Sequence, residues 1–120
     1  MPMLEINTNL KEEDIQPDFL VTTSKLFQEA IGKPMEYISV HLRPDQLMAF
    51  GGTNEPCAFV NVVSAGKISP EENIKYTKLI TQIMGKLGVP PDRMYIIFHD
   101  IPRDNLGFKG SILSDLVAKK

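Results

Sequence analysis

Residues 58–98 read AFVNVVSAGKISPEENIKYTKLITQIMGKLGVPPDRMYIIF. The Val-rich run Ala58–Ser64 and the β-branched and aromatic run Met94–Phe98 have the composition of strands. Between them, Ser69-Pro70-Glu71-Glu72 is a strong helix start, with its serine at the N-cap, its proline first in the helix and its second glutamate completing a capping box. Gly88 ends this helix, so the stretch predicts a strand–helix–strand unit. The apolar stripe of the helix is Ile74, Thr77, Ile80, Ile83, Met84 and Leu87.

The first half of the chain has the same plan. Pro2–Asn7 alternates as a strand does, and Asp18–Ile31 has the period of a helix, with Asp18 as its N-cap. Gly32-Lys33-Pro34 stops that helix. Tyr37–Leu42 alternates again, and a turn leads to a second extended piece, Gln46–Phe50. The first half therefore predicts a second strand–helix–strand unit.

The ends of the two helices also resemble each other. Gly32-Lys33-Pro34 precedes Tyr37-Ile38, and Gly88-Val89-Pro90 precedes Tyr95-Ile96. Such internal similarity indicates a duplicated β-α-β unit. We therefore predict an α+β fold, a single domain over residues 1–120, in which a four-stranded mixed sheet carries both helices on one face.

Apolar side chains fall on both faces of this predicted sheet. Two helices cover one face only, so the other face needs a partner, and a second copy of the chain is the simplest one. The sequence therefore predicts an oligomer without fixing its order. The residues that alternate against the helix-facing set are Tyr37, Phe59, Val63, Tyr95 and Ile97.

Composition excludes several classes of protein. The chain has 120 residues, 42% of them apolar and 23% charged, with a formal net charge of −2. Nucleic-acid binding is disfavoured because it needs clustered Lys and Arg, and no apolar run approaches the ~20 residues of a membrane-spanning helix. The start of the chain lacks the pattern of a secretory signal peptide. It does predict removal of Met1, which would give Pro2 a free secondary amine.

Signatures of catalysis are few. The sequence has no Gly-rich phosphate loop, no nucleophile elbow and no metal-ligand cluster, so we expect neither metal nor cofactor. His41 and His99 are interpreted as hydrogen-bonded strand histidines, and Cys57 as a partly buried thiol. Pro2 and Lys33 remain, and each alone is a weak signal.

The whole chain resembles the macrophage migration inhibitory factor family, which includes D-dopachrome tautomerase. The resemblance implies the tautomerase fold, a homotrimer with three sites at subunit interfaces, an N-terminal proline base and a cytokine-like role outside the cell without a leader. The motifs that carry it are Met1-Pro2-Met3, Asn7-Thr8-Asn9, Gly32-Lys33-Pro34, Pro44-Asp45-Gln46-Leu47-Met48-Ala49-Phe50-Gly51-Gly52, Glu55-Pro56-Cys57-Ala58, Ser64-Ala65-Gly66-Lys67-Ile68 and Asp92-Arg93-Met94-Tyr95-Ile96.

The resemblance also implies roles for individual residues. Pro2 matches the catalytic proline, and Lys33 matches the lysine that binds the substrate's carboxylate or carbonyl oxygen. Tyr95 matches a tyrosine that a neighbouring subunit contributes. The apolar contacts implied are Ala65, Ile97, Phe108 and Tyr37.

Five departures from the family pattern bear on function. Ile97 stands where many members have a substrate-binding Asn, Ala65 replaces an Ile, and Phe108 replaces a Trp. Val60 stands in place of the second cysteine of a Cys-x-x-Cys motif, which argues against a thiol–disulfide oxidoreductase. The usual Asn-Gly-Ser-Thr-Phe ending is Lys109-Gly110-Ser111-Ile112-Leu113, followed by an extension over residues 114–120. We expect that extension to be either a short helix or a frayed end.

Three hypotheses follow. The first is a cofactor-independent keto–enol tautomerase for phenylpyruvate- or dopachrome-like substrates, with Pro2 as general acid–base. The second is a cytokine-like ligand of a cell-surface receptor, with a weak or vestigial pocket. The third is a small homo-oligomeric interaction domain. We favour a combination of the first two, in a protein that is both cytoplasmic and secreted without a signal peptide and that neither binds nucleic acid nor inserts into membranes.

Overall fold

The predicted central unit is confirmed. In the computed structural model, which describes residues 1–118, strand β3 is Ala58–Ser64, helix α2 is Pro70–Lys86 and strand β4 is Met94–Asp100. The backbone N–H of Glu72 donates to Ser69 Oγ at 3.2 Å, which caps α2 as predicted. Strand β4 runs two residues beyond the predicted Phe98 because its pairing with β3 continues through Asp100.

The first unit is confirmed with shifted boundaries. Strand β1 is Met3–Thr8, helix α1 is Phe19–Ile31 and strand β2 is Ser39–Arg43. Gly32 ends α1 in the left-handed conformation, at φ +70°. Asp18 takes the N-cap position, but its side chain caps no backbone N–H. Its backbone is not extended (φ −93°, ψ 9°), whereas capping side chains are normally presented from an extended residue.

Tyr37 and the extended piece Gln46–Phe50 lie outside the strands of the sheet. Tyr37 lies in a 3₁₀ turn, Met35–Tyr37, whose hydrogen bond from Ile38 N–H to the Met35 carbonyl delays β2 until Ser39. Gln46–Phe50 forms no strand, because Asp45, at φ +59°, turns the chain away from β2. Within the described part of the chain, the only bridge made by that segment joins Phe50 to Thr53.

The sheet has the strand order β2-β1-β3-β4. β1 runs parallel to β2 and antiparallel to β3, and β3 runs parallel to β4. Each parallel pair belongs to one β-α-β unit, so the two units join through the central strands. This is the predicted four-stranded mixed sheet with its duplicated plan.

The core lies between the sheet and the two long helices. Leu4, Ile6, Val60 and Val62 are fully buried on the helix-facing side of β1 and β3, and burying such a side chain contributes about 1.5–3 kcal/mol each. On the opposite face, large apolar side chains remain exposed, as the sequence predicts. They are Phe59 (40% exposed), Tyr95 (68%) and Ile97 (43%).

Arg93 fixes the loop that precedes β3. Its guanidinium donates to the carbonyls of Phe50, Thr53, Glu55 and Pro56 at 2.9–3.3 Å. This loop leads to Cys57, which is fully buried rather than partly buried as predicted.

The chain ends in a hairpin and a short helix. Strands β5 (Gly107–Phe108) and β6 (Ser111–Ile112) pair antiparallel, and helix α3 is Leu113–Ala118. The helical alternative for the 114–120 extension is therefore confirmed through Ala118, and the last two residues lie outside the described part. None of the helices in residues 1–118 is long and apolar enough to cross a bilayer.

Candidate functional site

A cavity of about 400 Å³ opens at the amino terminus, where the start of β1 meets the end of α1 and the C-terminal hairpin. Its size falls within the range of small-molecule sites. The cavity is lined by Met1, Lys33, Pro34, Tyr37, Ala65 and Phe108. It is also lined by Arg103, Lys109, Leu113, Leu116 and Val117.

Pro2 anchors the amino terminus at this cavity. Its side chain is fully buried, and its carbonyl accepts a hydrogen bond from Ser39 N–H at 3.1 Å. Met1 therefore lines the cavity with the terminal amine beside it. Burial lowers the pKa of that amine below its ordinary 8.0, and the positive charge of Lys33 lowers it further. Both effects favour a neutral, proton-accepting nitrogen.

Lys33 is held by the exit from α1. The left-handed Gly32 turns the chain, and Gln28 Nε2 donates to the Lys33 carbonyl at 2.9 Å. The Lys33 side chain is half-buried and lines the cavity. Lys33 therefore lines the same cavity as Met1, the residue that carries the terminal amine.

Two aromatic side chains and one small side chain also line the cavity. The rings of Tyr37 and Phe108 meet edge to face, with centroids 5.5 Å apart. Ala65 is 5% exposed and follows directly after β3. Its loop is fixed by Gly66 N–H, which donates to Asp100 Oδ1 at 3.1 Å.

Tyr76 ties the same loop to α2. Its hydroxyl donates to the Lys67 carbonyl at 2.7 Å, and burial, with a smaller effect of Glu72, raises the pKa of Tyr76 to about 12 from its ordinary 10.0. The folded chain therefore retains a proton that the unfolded chain releases. We expect the free energy of unfolding to fall between pH 10 and about pH 12.

Tyr76→Phe should abolish this decline and cost about 1 kcal/mol at neutral pH through the lost hydrogen bond. Urea denaturation at neutral pH, at pH 10 and at about pH 12, with the protein concentration held fixed, measures the free energy of unfolding of both proteins. An equal alkaline decline in Tyr76→Phe would show that another group is responsible.

Tyr95 and Ile97 lie apart from the other predicted site residues. Both are on the open face of β4, and the Tyr95 ring lies 5.1 Å from that of Phe50. Neither lines the cavity of its own chain. One chain therefore brings together the amino terminus, Lys33, Tyr37, Ala65 and Phe108, and leaves these two side chains on its outer surface.

Arg103, Lys109 and helix α3 also line the cavity, although none of them was predicted as part of the site. Arg103 and Lys109 contribute two cations to it, and α3 contributes apolar lining residues. The spacing of Leu113, Leu116 and Val117 indicated a helix, but nothing in it indicated a pocket. Among residues 1–118, no three His, Cys, Asp or Glu side chains are grouped as a metal site.

The fold and the site define a class of protein with a duplicated β-α-β sheet and a small-molecule cavity built around its own amino terminus. The model of the macrophage migration inhibitory factor family matches residues 1–114. The chain belongs to the macrophage migration inhibitory factor family.

Curated relatives and solved structures agree with this assignment. The chain is 42% identical to macrophage migration inhibitory factor of Mus musculus over 112 residues, covering 92% of this chain and 97% of the mouse protein. It is 36% identical to the MIF-like protein mif-2 of Caenorhabditis elegans over 116 residues, covering 96% of this chain and 97% of that protein. The structure of the factor from Trichinella spiralis superposes with a TM-score of 0.88 at 37% identity, covering 92% of this chain and 98% of that one.

Proposed function

We propose that this protein is a keto–enol tautomerase that uses Pro2 as its base once Met1 is removed. The observation that carries the proposal is the terminal amine of Met1, a residue that lines the cavity; burial and Lys33 lower the pKa of this amine, and removal of Met1 would leave the Pro2 amine near the same cation. Family membership supports a tautomerase activity in general. Phenylpyruvate and dopachrome are the test substrates.

The reaction needs a base and an oxygen-binding cation. The neutral Pro2 nitrogen takes a proton from the carbon next to the substrate's carbonyl, and Lys33 stabilises the negative charge that develops on the oxygen. Protonation of that oxygen gives the enol, and the reverse path returns the proton from Pro2 to carbon. Tyr37, Ala65 and Phe108 supply the apolar surroundings that favour an uncharged amine.

The activity is assayed with untagged protein whose loss of Met1 has been verified by intact mass. Tautomerisation of either substrate well above background supports the enzyme. Background rates on both substrates, with the oligomer intact, would overturn it.

The proposed assembly is a homotrimer in which Tyr95 of one subunit completes the pocket of its neighbour. Support comes from the open sheet face, where Phe59, Tyr95 and Ile97 are exposed, and from Leu47, which is fully exposed. Apolar surface of this kind marks an interface. Ile97 and Ala65 would then set how well the pocket holds a substrate.

A cytokine-like role is the second candidate function, and it is favoured by the similarity to relatives named macrophage migration inhibitory factor. In this proposal the protein is present in the cytoplasm, leaves the cell without a signal peptide and contacts a cell-surface receptor. A tag retained before Pro2 separates the two functions. It should abolish catalysis and leave receptor signalling largely intact.

The pH dependence of kcat/KM tests the electrostatic part of the proposal. Because only the neutral amine accepts a proton, we expect the rate to rise with pH through a pKa below the ordinary 8.0 of a terminal amine. Lys33→Gln removes a neighbouring cation and should move this acid limb to higher pH, in addition to raising KM. Lys25→Gln, an exposed change elsewhere on α1, is the matched control. An acid limb that stays in place in Lys33→Gln would contradict the assigned role of the charge.

A further inference from the structure

We infer that the cavity selects enolisable acids carrying a second anionic group, which Arg103 and Lys109 bind. The inference rests on the proposed tautomerase function and specifies its substrate class. The ligand would have an apolar body and two carboxylates. One carboxylate belongs to the 2-oxo acid and is bound by Lys33, and the other is bound by Arg103 and Lys109.

The charge of the cavity lining is the first observation. Lys33, Arg103 and Lys109 all line it, and no carboxylate of residues 1–118 does. Within residues 1–118, the ion pair that forms is Arg43 with Glu5, so none of these three cations is neutralised by a described partner. A cavity whose charged lining residues are all cations concentrates anions. When Lys33 binds the carboxylate of one 2-oxo acid, Arg103 and Lys109 remain without a described counter-ion.

The backbone at Lys109 is the second observation. Lys109 and Gly110, at φ +53° and +77°, form the two-residue turn between β5 and β6. A turn of this type favours Asn-Gly, because a side chain such as lysine is strained at positive φ. The strained residue nevertheless carries a charge to the cavity, and its Nζ lies 5.4 Å from the centre of the Phe108 ring.

Helix α3 is the third observation. Leu113, Leu116 and Val117 are apolar lining residues of the cavity, and α3 packs against the turn Arg103–Asn105. The match to the family model ends at residue 114, so Leu116 and Val117 lie beyond it. These side chains provide a surface for the apolar body of the ligand. A cavity of about 400 Å³ is large enough for an arylpyruvate.

The test compares 4-carboxyphenylpyruvate with phenylpyruvate, which lacks the second carboxylate. We expect KM to be about tenfold lower for the dianion than for phenylpyruvate, because one additional hydrogen bond between charged groups contributes about that much to binding. This difference in KM should become smaller with added salt, which screens the charges. The double variant Arg103→Gln with Lys109→Asn should lose the preference, because it raises the KM for the dianion more than the KM for phenylpyruvate, which is a monoanion. Asn suits the turn at residue 109, so folding is retained. Lys25→Gln is the control and should keep the preference.

Binding separates this inference from the proposed reaction. Calorimetric titration of both acids into Pro2→Gly protein measures affinity without turnover. Tighter binding of the dianion that the double change removes supports the inference, even if the unaltered protein proves inactive and the tautomerase proposal fails. Equal affinities for the two acids, or a preference unaffected by the double change, would overturn the inference while leaving activity on phenylpyruvate unaffected.

Discussion

Replacing Pro2 with glycine lowers kcat for phenylpyruvate tautomerisation at least about a hundredfold, as expected for loss of a positioned base. Glycine leaves a terminal amine, but that amine is no longer held in the buried pyrrolidine ring of Pro2. The nitrogen is then free to rotate and is no longer directed at the substrate. Steady-state kinetics with mass-verified protein measures the change.

Pro17→Gly is the matched control, since Pro17 is exposed and lies before α1, away from the cavity. It should retain the activity of the unaltered chain. An unchanged kcat in Pro2→Gly, with Met1 removed and the oligomer intact, would assign the proton transfer to another group.

Leu47→Asp should dissociate the oligomer. Leu47 is fully exposed in the single chain, so the change does not disturb the core of the subunit. A charge at this position within an interface would be desolvated without a partner, which costs several kcal/mol. Sedimentation equilibrium should give the 13.5 kDa subunit in place of a species about three times heavier. Activity should fall with the mass, because the pocket would lose the Tyr95 of its neighbour.

Ile74→Asp provides the comparison for that experiment. Ile74 is also an exposed apolar residue, 58% accessible, but it lies on α2, on the opposite side of the sheet from the open face. Ile74→Asp should leave the mass of the oligomer unchanged. Retention of the full mass by Leu47→Asp would exclude the loop around Leu47 from the interface.

The parts of the fold that the sequence predicts well are those that local signals determine. Ser69-Pro70 starts α2 through its own backbone and side-chain chemistry, and the Val-rich alternation of β3 defines a strand of the predicted length. Gln46–Phe50 was predicted as an extended piece after a turn, but a strand also needs a neighbouring strand to pair with. Within the described chain this segment makes one isolated bridge, between Phe50 and Thr53, so it forms no strand.

The site was less predictable, because its parts come from distant segments. Pro2 and Lys33 were weak signals alone and became candidates through the resemblance, and the structure now brings Lys33 to the amino terminus. Arg103 and Lys109 were not predicted as site residues, and it is the fold that brings both of them to the cavity. Charged residues in loops follow no periodic pattern that would indicate that they line the same cavity.

The central claim is that a free amine on Pro2 performs the proton transfer. The most direct test compares phenylpyruvate tautomerisation by protein that begins at Pro2 with that by protein carrying an alanine inserted between Met1 and Pro2, each verified by intact mass. The inserted residue converts the Pro2 nitrogen into an amide, which accepts no proton at neutral pH, and leaves the remaining cavity residues unchanged. We expect kcat to fall at least about a hundredfold. Equal rates for the two proteins would contradict the proline-base mechanism.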